Sequence, residues 1–280
     1  MPNLKPREPG VMFWAERDPI ETIAALGVRC GQLGFEPTYA LSEKNALRWR
    51  EDLASHDFTL VTLFAAYAGE SYADIPTVEA TVGFVPAGTY KERLARTLAL
   101  SDFAAALGVG SIACHIGCIP ADRKDERYGR AVEAVRAVAD HCAKYDQTFA
   151  LETGQEPATA LLSFLDEVER VNVGVNFDPA NMILYGSGQP LAALRILAPR
   201  LLSVHLKDGL WPPSMPPGAL GHEVPLGEGA VNIPAFVAEL ASLGFTGPLN
   251  VERETEDDAA RRRDMARGIA LLRSLVGETQ

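Results

Sequence analysis

The stretch TFALETGQEPATALLSFLDEVE, residues 148–169, holds the pattern that decides the fold. A short apolar run, 148–152, ends on a glutamate, and a polar turn then leads into an amphipathic segment, 157–169. A run of this kind is typical of a buried strand, and apolar residues at helical spacing indicate a helix that packs on it. The stretch therefore predicts one strand–loop–helix unit with Glu152 at the carboxyl end of its strand.

The same unit recurs on both sides of this stretch. We predict strands over 10–14, 30–35, 59–64, 111–115, 148–152, 173–178, 201–206 and 248–252. The predicted helices span 20–26, 42–54, 90–107, 125–144, 157–169, 190–198, 233–243 and 257–276. Because strands that alternate with helices pair in parallel, this order predicts an α/β fold, a closed (β/α)₈ TIM barrel, as a single domain over residues 1–280. An open doubly wound sheet is the alternative, but no GxGxxG follows the first strand.

Two connections are longer than a plain barrel needs. Segment 65–88 contains aromatic residues, glycines and two prolines, and it is either a lid over the site or a surface insertion. Segment 208–229 is rich in proline and glycine, and we predict a loop there.

The composition argues against some classes of function and of binding partner. Of the 280 residues, 47% are hydrophobic, which is enough for a large core, and the formal net charge is −11. This charge argues against a nucleic-acid partner and gives no reason to expect binding to an anionic membrane. The N-terminal residues lack the apolar core of a signal peptide, and no apolar run approaches the ~18 residues of a membrane span. The four cysteines are scattered without a CxxC motif, so we expect a cytoplasmic protein with reduced thiols.

Ionisable residues end several of the predicted strands. FALETG ends on Glu152, VGVNFDPAN contains Asp178, LLSVHLKD contains His205, PLNVERE contains Glu252, and SIACHIG contains His115. In a barrel, the carboxyl ends of the strands form the active site. Carboxylates and an imidazole that converge there are costly to bury unless they are paired or bind a cation.

A divalent metal ion satisfies the set formed by Glu152, Asp178, His205 and Glu252. Taken singly, a strand-end glutamate is commonly a salt-bridge partner, and a buried histidine commonly accepts or donates a structural hydrogen bond. Four such residues on the last four strands point to one site. Oxygen and nitrogen ligands suit Mn²⁺, Mg²⁺, Co²⁺ or Zn²⁺. We predict one divalent metal ion, with Mn²⁺ first.

Other polar and aromatic residues near the strand ends are candidates for substrate contacts. Each also has a structural alternative: a loop salt bridge, a helix cap or a place in the core. The candidates are His115, Glu156, Lys207, Asp208, Trp14 and Trp211.

Five motifs of the chain resemble a known family. LETGQEP, NFDPAN, SVHLKDG, PLGEG and NVERE are similar to segments of the sugar isomerases and epimerases of the xylose-isomerase-like TIM barrel superfamily, which includes the ketose 3-epimerases. The resemblance runs from the first strand to the last helix and is most specific from 150 to 254. It implies that the four residues named above form a single metal site that chelates two adjacent oxygens of a ketose or keto-sugar. It further implies that Glu152 and Glu252 move a proton on opposite faces of the substrate through a metal-stabilised cis-enediolate, and it is compatible with a homo-oligomer, a dimer or a tetramer.

One position departs from the family pattern. Many relatives have a histidine three residues after the aspartate of the sixth strand, and here that residue is Asn181. Asparagine is a poor metal ligand but can donate a hydrogen bond to a substrate hydroxyl, so we include Asn181 among the substrate contacts. Together with the net charge, this departure disfavours the AP endonucleases of the same superfamily, which bind further metal ions.

The sequence thus predicts a divalent-metal-dependent isomerase or epimerase of a small carbohydrate. A metal ion on a carbonyl oxygen stabilises the charge that develops when the α-proton leaves, and a carboxylate then needs only modest basicity. A lyase or dehydratase of a keto-sugar, keto-glycoside or inosose is the alternative, because it shares the first proton abstraction. A non-catalytic binding barrel is a further alternative.

Overall fold

The computed structural model describes residues 4–214 and 216–277. Within these residues, eight parallel strands form the barrel: β1 (Pro9–Trp14), β2 (Cys30–Phe35), β3 (Thr59–Ala65), β4 (Ser111–Cys114), β5 (Thr148–Glu152), β6 (Val173–Phe177), β7 (Leu201–Leu206) and β10 (Leu249–Val251). They close in the order β1, β10, β7, β6, β5, β4, β3, β2. Two short strands, β8 (Asp208–Leu210) and β9 (His222–Val224), form a separate sheet. The predicted (β/α)₈ barrel is confirmed, whereas its extent as one domain over 1–280 stays a prediction.

Helices surround the barrel. They are α1 (Ile20–Ala24), α2 (Glu43–Ser55), α3 (Ile75–Thr81), α4 (Tyr90–Leu107), α5 (Glu126–Cys142), α6 (Ala158–Val168), α7 (Pro179–Leu184), α8 (Pro190–Leu197), α9 (Ile233–Ser242) and α10 (Asp258–Val276). Their ends carry the expected local signals. The Ser42 side chain accepts a hydrogen bond from the Asn45 amide at the start of α2, and Gly108 ends α4 in the left-handed conformation with φ 74°.

The structure corrects the prediction for segment 208–229. This segment is not a plain loop, because β8 and β9 pair antiparallel within it, with Asp208 opposite Val224 and Leu210 opposite His222. Helix α7 was also missed. Strands β8 and β9 have three residues each and α7 has six, so none of them is long enough to show a clear periodic pattern of apolar residues.

The apolar core has two parts. The larger part lies between the strands and the surrounding helices, and it contains Phe13, Leu63, Phe149 and Phe236 among many others. A small second cluster brings together Met12, Phe64, Ala113 and Ala150, from four strands of the barrel. Successive side chains of a strand point to opposite faces. On β5 this alternation gives Ala150 and Glu152 a common face, so the strand that buries Ala150 presents Glu152 two residues later.

Segment 65–88 is held against the barrel by a close backbone contact. Gly83 has φ 72°, and a Cβ atom there would overlap the backbone of Ile116 and Gly117. The Gly83 amide donates to Glu70, and the Phe84 amide donates to the Ile116 carbonyl. Glycine is required because only the bare backbone fits at this approach. The contact fixes the segment at the end of β4, beside the mouth of the barrel.

Candidate active site

Four buried side chains converge at the carboxyl ends of strands β5, β6, β7 and β10. They are Glu152, Asp178, His205 and Glu252, and one potential ligand atom from each lies within 4.8 Å of the others. Glu152 is the last residue of β5, His205 is the fifth residue of β7, and the two remaining acids directly follow β6 and β10. These strands are consecutive neighbours in the barrel. Residues far apart in sequence therefore form one cluster.

The Asp178 carboxylate has two different surroundings. Its Oδ1 accepts hydrogen bonds from the amides of Ala180, at 2.8 Å, and Asn181, at 3.1 Å, and so caps the first turn of α7. Its Oδ2 is buried and has no hydrogen-bond partner. Helix capping thus fixes the carboxylate while one oxygen faces the cluster.

Positive charges keep the two glutamates ionised. Burial alone raises the pKa of Glu152, but His115 and His205 outweigh it and hold this pKa below its ordinary value. For Glu252, burial also raises the pKa, and His205 and Lys207 lower it far more. Burial lowers the pKa of His205, yet Glu252 and Glu152 hold it well above its usual value. The charges of the cluster therefore stabilise one another.

The cluster fits a divalent cation. His205 Nδ1 lies 3.0 Å from Glu152 Oε1, 3.1 Å from Glu252 Oε2 and 3.9 Å from Asp178 Oδ2. Besides Asp178 Oδ2, Glu252 Oε2 is also buried without a hydrogen bond, although the Lys207 ammonium lies 3.2 Å away. Buried carboxylate oxygens without hydrogen bonds are costly, and a cation relieves that cost. One imidazole and three carboxylates are a suitable donor set for such an ion.

A buried chain of neutral side chains orients His205 from below. His205 Nε2 lies 2.6 Å from Gln32 Oε1, and Gln32 Nε2 donates to Asn176 Oδ1 at 3.1 Å. Ser203 Oγ donates to the same Asn176 oxygen at 2.6 Å. With a metal ion bound, this chain would hold the remaining ring proton on Nε2, so that Nδ1 faces the three carboxylates as the ligand atom.

A cavity of about 540 Å³, the site cavity, opens above the cluster. Four of the predicted substrate contacts line it: Trp14, His115, Asn181 and Lys207. Two of these also hold the glutamates: His115 Nε2 lies 3.3 Å from Glu152 Oε2, and Asn181 donates to Glu152 Oε1 at 3.4 Å. The volume is in the range of ordinary small-molecule sites.

Segment 65–88 covers part of the site cavity. Glu70 and Tyr72 line the cavity, and the Tyr72 ring lies 5.6 Å from the His115 ring. The amide of Ile75 donates to the carbonyl of Gly218 in the β8–β9 connection. Two long connections thus meet over the barrel mouth, which is the arrangement expected of a lid rather than of a remote surface insertion.

Three predicted substrate contacts do not line the site cavity. Asp208 is buried, and its oxygens accept the amides of Gly209, Gly227, Gly229 and Val231, so it orders its own loop. Trp211 is 38% exposed outside the cavity. Glu156 lines a neighbouring cavity instead, where its Oε1 accepts the amide of Ile119 at 2.6 Å.

Sequence reasoning missed several residues of the site. Gln32 interrupts the otherwise apolar strand CGQLGF, and that interruption was the available signal. Tyr72, Tyr185 and Glu254 also line the site cavity, and Glu254 accepts a hydrogen bond from Lys207 at 2.6 Å. These three lie in connections, where no periodic pattern marks them.

The chain matches the family model described as the xylose isomerase-like TIM barrel over residues 20–275. It therefore belongs to that family, which confirms the resemblance. The crystal structure of the xylose isomerase domain protein from Planctomyces limnophilus is 37% identical and has a TM-score of 0.93. The similarity covers 96% of this chain and 97% of that one.

Two curated proteins match over shorter stretches. The uncharacterised protein YihM of Escherichia coli strain K12 is 34% identical over 103 residues, 36% of this chain and 31% of that protein. The L-ribulose 3-epimerase of Methylomonas sp. strain DH-1 is 28% identical over 150 residues, 51% of this chain and 48% of that enzyme. Both matches span less than half the length of the relative.

A solved D-psicose 3-epimerase from Clostridium cellulolyticum H10, with D-tagatose, shares the fold at lower identity. It is 18% identical with a TM-score of 0.69, over 96% of this chain and 99% of that one.

In the described part of this chain, no helix combines the length and apolar character that a membrane crossing needs. The four cysteines are all free thiols.

Proposed function

We propose that this protein is a divalent-metal-dependent isomerase or epimerase of a ketose or keto-sugar, acting by transfer of the proton α to the carbonyl. The observation that carries the proposal is the set of four buried ligand atoms within 4.8 Å at the floor of a cavity of about 540 Å³. The epimerase names of two of the relatives support the same class of reaction.

The four cluster residues would hold one metal ion, for which Mn²⁺ is our first choice and Mg²⁺, Co²⁺ and Zn²⁺ are alternatives. When bound, the ion polarises the substrate carbonyl and stabilises negative charge on its oxygen by several kcal/mol. Small sugars are the proposed substrates because the cavity combines hydrogen-bonding groups with the apolar walls of Trp14 and Phe64.

Glu152 and Glu252 are the proposed proton-transfer groups. Their pKa values lie below the ordinary value, so both carboxylates are ionised at neutral pH and able to accept a proton. Glu152 ends β5 and Glu252 directly follows β10, and these two strands are separated in the barrel by β6 and β7. Carboxylates on two sides of a bound sugar permit one to remove the proton and the other to return it on the opposite face, which inverts the carbon.

The neighbouring residues keep these two carboxylates in place. His115 Nε2 lies 3.3 Å from Glu152 Oε2, and Lys207 Nζ lies 3.2 Å from Glu252 Oε2. Asn181 donates to Glu152 and faces the same cavity, so its amide is placed to contact a substrate hydroxyl. Segment 65–88 covers the mouth and limits the access of water to the reacting carbon.

The proposal is tested by solvent exchange in D₂O. The Mn²⁺-loaded protein is incubated with ketoses and keto-sugars, and NMR follows deuterium at the carbon next to the carbonyl. We expect deuterium in a sugar of unchanged composition. Loss of water or of an aglycone would instead establish the lyase alternative, and no exchange with any of these sugars would overturn the proposal.

Glu152→Gln tests the role of the carboxylate. We expect exchange to fall by roughly 10²–10⁴-fold, the usual contribution of a general base. Glu133→Gln is the matched control, because Glu133 is an exposed glutamate on α5, on the outside of the barrel. Full exchange activity in Glu152→Gln would exclude this mechanism.

A further inference from the structure

A second cavity of about 530 Å³, the side cavity, lies next to the site cavity and has no part in the proton transfer described above. Residues of α3, of the β4–α5 connection, of α5, of the β5–α6 connection and of α6 line it. Like the site cavity, its size is that of a small-molecule site.

Two side chains, Gln155 and Tyr185, lie where the side cavity and the site cavity meet. Tyr185 lines both of them. Gln155 lines the side cavity, and its Nε2 lies 3.2 Å from Nδ1 of His115, which lines the site cavity. The two cavities are therefore adjacent, and Tyr185, Gln155 and His115 lie where they meet.

The lining of the side cavity combines apolar sides with isolated hydrogen-bonding groups. Ile75, Ile119 and Pro157 are among its apolar residues, and Glu156 and Tyr185 are among its polar ones. Glu156 is buried, and one of its oxygens accepts the Ile119 amide. Burial raises the pKa of Glu156 to about 7, so near neutral pH much of this group is an uncharged acid that both donates and accepts hydrogen bonds.

The two arginines that line the side cavity are already paired with acids. Arg123 lies 3.3 Å from Glu167, and Arg127 lies 2.6 Å from Asp125. Glu79 adds a further carboxylate to the lining. Because no arginine of the lining lacks an acidic partner, an anionic group such as a phosphate finds no free counter-charge here.

We propose that the side cavity is a subsite for a second, uncharged sugar unit, so that the substrate is a glycoside of the reacting keto-sugar. Its reacting unit lies at the metal cluster, and its second unit packs against the apolar wall of the side cavity with hydroxyls on Glu156 and Tyr185. This inference rests on the proposed function, because it deepens the substrate class of the same site.

The test compares fructose with the ketose disaccharides turanose, lactulose and isomaltulose, which carry a hexose on three different hydroxyls of fructose. The Mn²⁺-loaded protein is incubated with each in D₂O, and kcat/KM for α-proton exchange is measured. We expect at least one disaccharide to exceed fructose by roughly tenfold or more, the gain that a filled pocket typically gives.

Two variants then place the effect in the side cavity. Ala160→Phe and Ser163→Phe fill it from exposed positions of α6, where a larger side chain is compatible with folding. Each should lower the disaccharide-to-fructose ratio by roughly tenfold or more. Thr159→Phe is the matched control, because Thr159 is exposed on the same helix but does not line the cavity, and it should leave the ratio unchanged.

The outcomes separate this inference from the proposed function. Exchange with fructose but no preference for any disaccharide, or a preference that both cavity-filling variants leave intact, overturns the subsite and leaves the proton-transfer function standing. No exchange with any ketose overturns the proposed function itself.

Discussion

Glu152 and Glu156 lie four residues apart at the end of β5, and their pKa values are shifted in opposite directions. Both are buried. The pKa of Glu152 is held below its ordinary value by His115 and His205, whereas burial raises the pKa of Glu156 to about 7, with only backbone amides to oppose it. The same residue type is therefore an ionised carboxylate in one cavity and a largely neutral acid in the next.

The groups around a buried glutamate therefore decide what it can bind. The metal cluster assembles several acids around His205 and Lys207, and its charge is suited to a cation. In the side cavity only backbone amides oppose the burial of Glu156, and the lining arginines are already paired, which suits an uncharged ligand. Three measurements test this difference.

The largest effect is expected from Asp178→Asn. The substitution keeps an oxygen that accepts the amides of Ala180 and Asn181, so the start of α7 is preserved. It replaces the oxygen that faces the cluster by an NH₂ group, which cannot bind a cation. We expect the Kd for Mn²⁺, measured by calorimetry, to rise on the order of a thousandfold, about 4 kcal/mol.

The metal-free melting temperature of Asp178→Asn distinguishes this outcome from misfolding. It should stay close to that of the unaltered protein, because the helix cap is intact. Unchanged Mn²⁺ affinity in a folded variant would show that the cluster does not hold the ion.

Glu156→Gln should produce the next largest effect, and its size depends on pH. The pKa of Glu156 is raised from 4.5 to about 7, so below about pH 4.5 the acid is protonated in both states and costs nothing. As the pH rises toward 7, the unfolded chain ionises while the folded protein retains the proton, and stability is lost. Glutamine removes this loss, which is about 3 kcal/mol above pH 7.

Urea denaturation at pH 4.5 and pH 8 measures the effect. The difference in unfolding free energy between the variant and the unaltered protein should change in favour of the variant at the higher pH. Glu133→Gln, on the surface of α5, should show no such change. A difference that stays constant with pH would mean that Glu156 is ionised in the folded protein.

The smallest effect is expected from Gln32→Met, which removes the acceptor of the His205 ring without adding charge. The ring can then turn or change its tautomer, so the Kd for Mn²⁺ should rise by about 10–100-fold, the usual cost of losing a partner behind a metal ligand. Gln32→Glu keeps an acceptor oxygen and should recover part of the affinity. Equal affinity in all three proteins would show that the chain through Asn176 does not position the histidine.

The sequence alone determined the barrel and the members of the cluster. Apolar runs that alternate with amphipathic segments are local patterns, and each of the eight barrel strands lies within a few residues of its predicted place. The sequence also predicted the four cluster residues, Glu152, Asp178, His205 and Glu252. A charged side chain is costly to bury at the end of an apolar strand, and four such side chains at neighbouring strand ends indicate one shared cation.

The surroundings of these four residues could not be predicted, because they depend on how distant segments pack. Gln32 contacts His205, 173 residues away, and Asn176, 144 residues away, so no local pattern links these three side chains. Asp208 was expected to reach the substrate but orders its own loop, because its acceptors meet amides up to 23 residues away. Glu156 lines the side cavity for the same reason. The strand pattern predicts the position of a residue in the barrel, but the packing of distant segments decides which groups its side chain contacts.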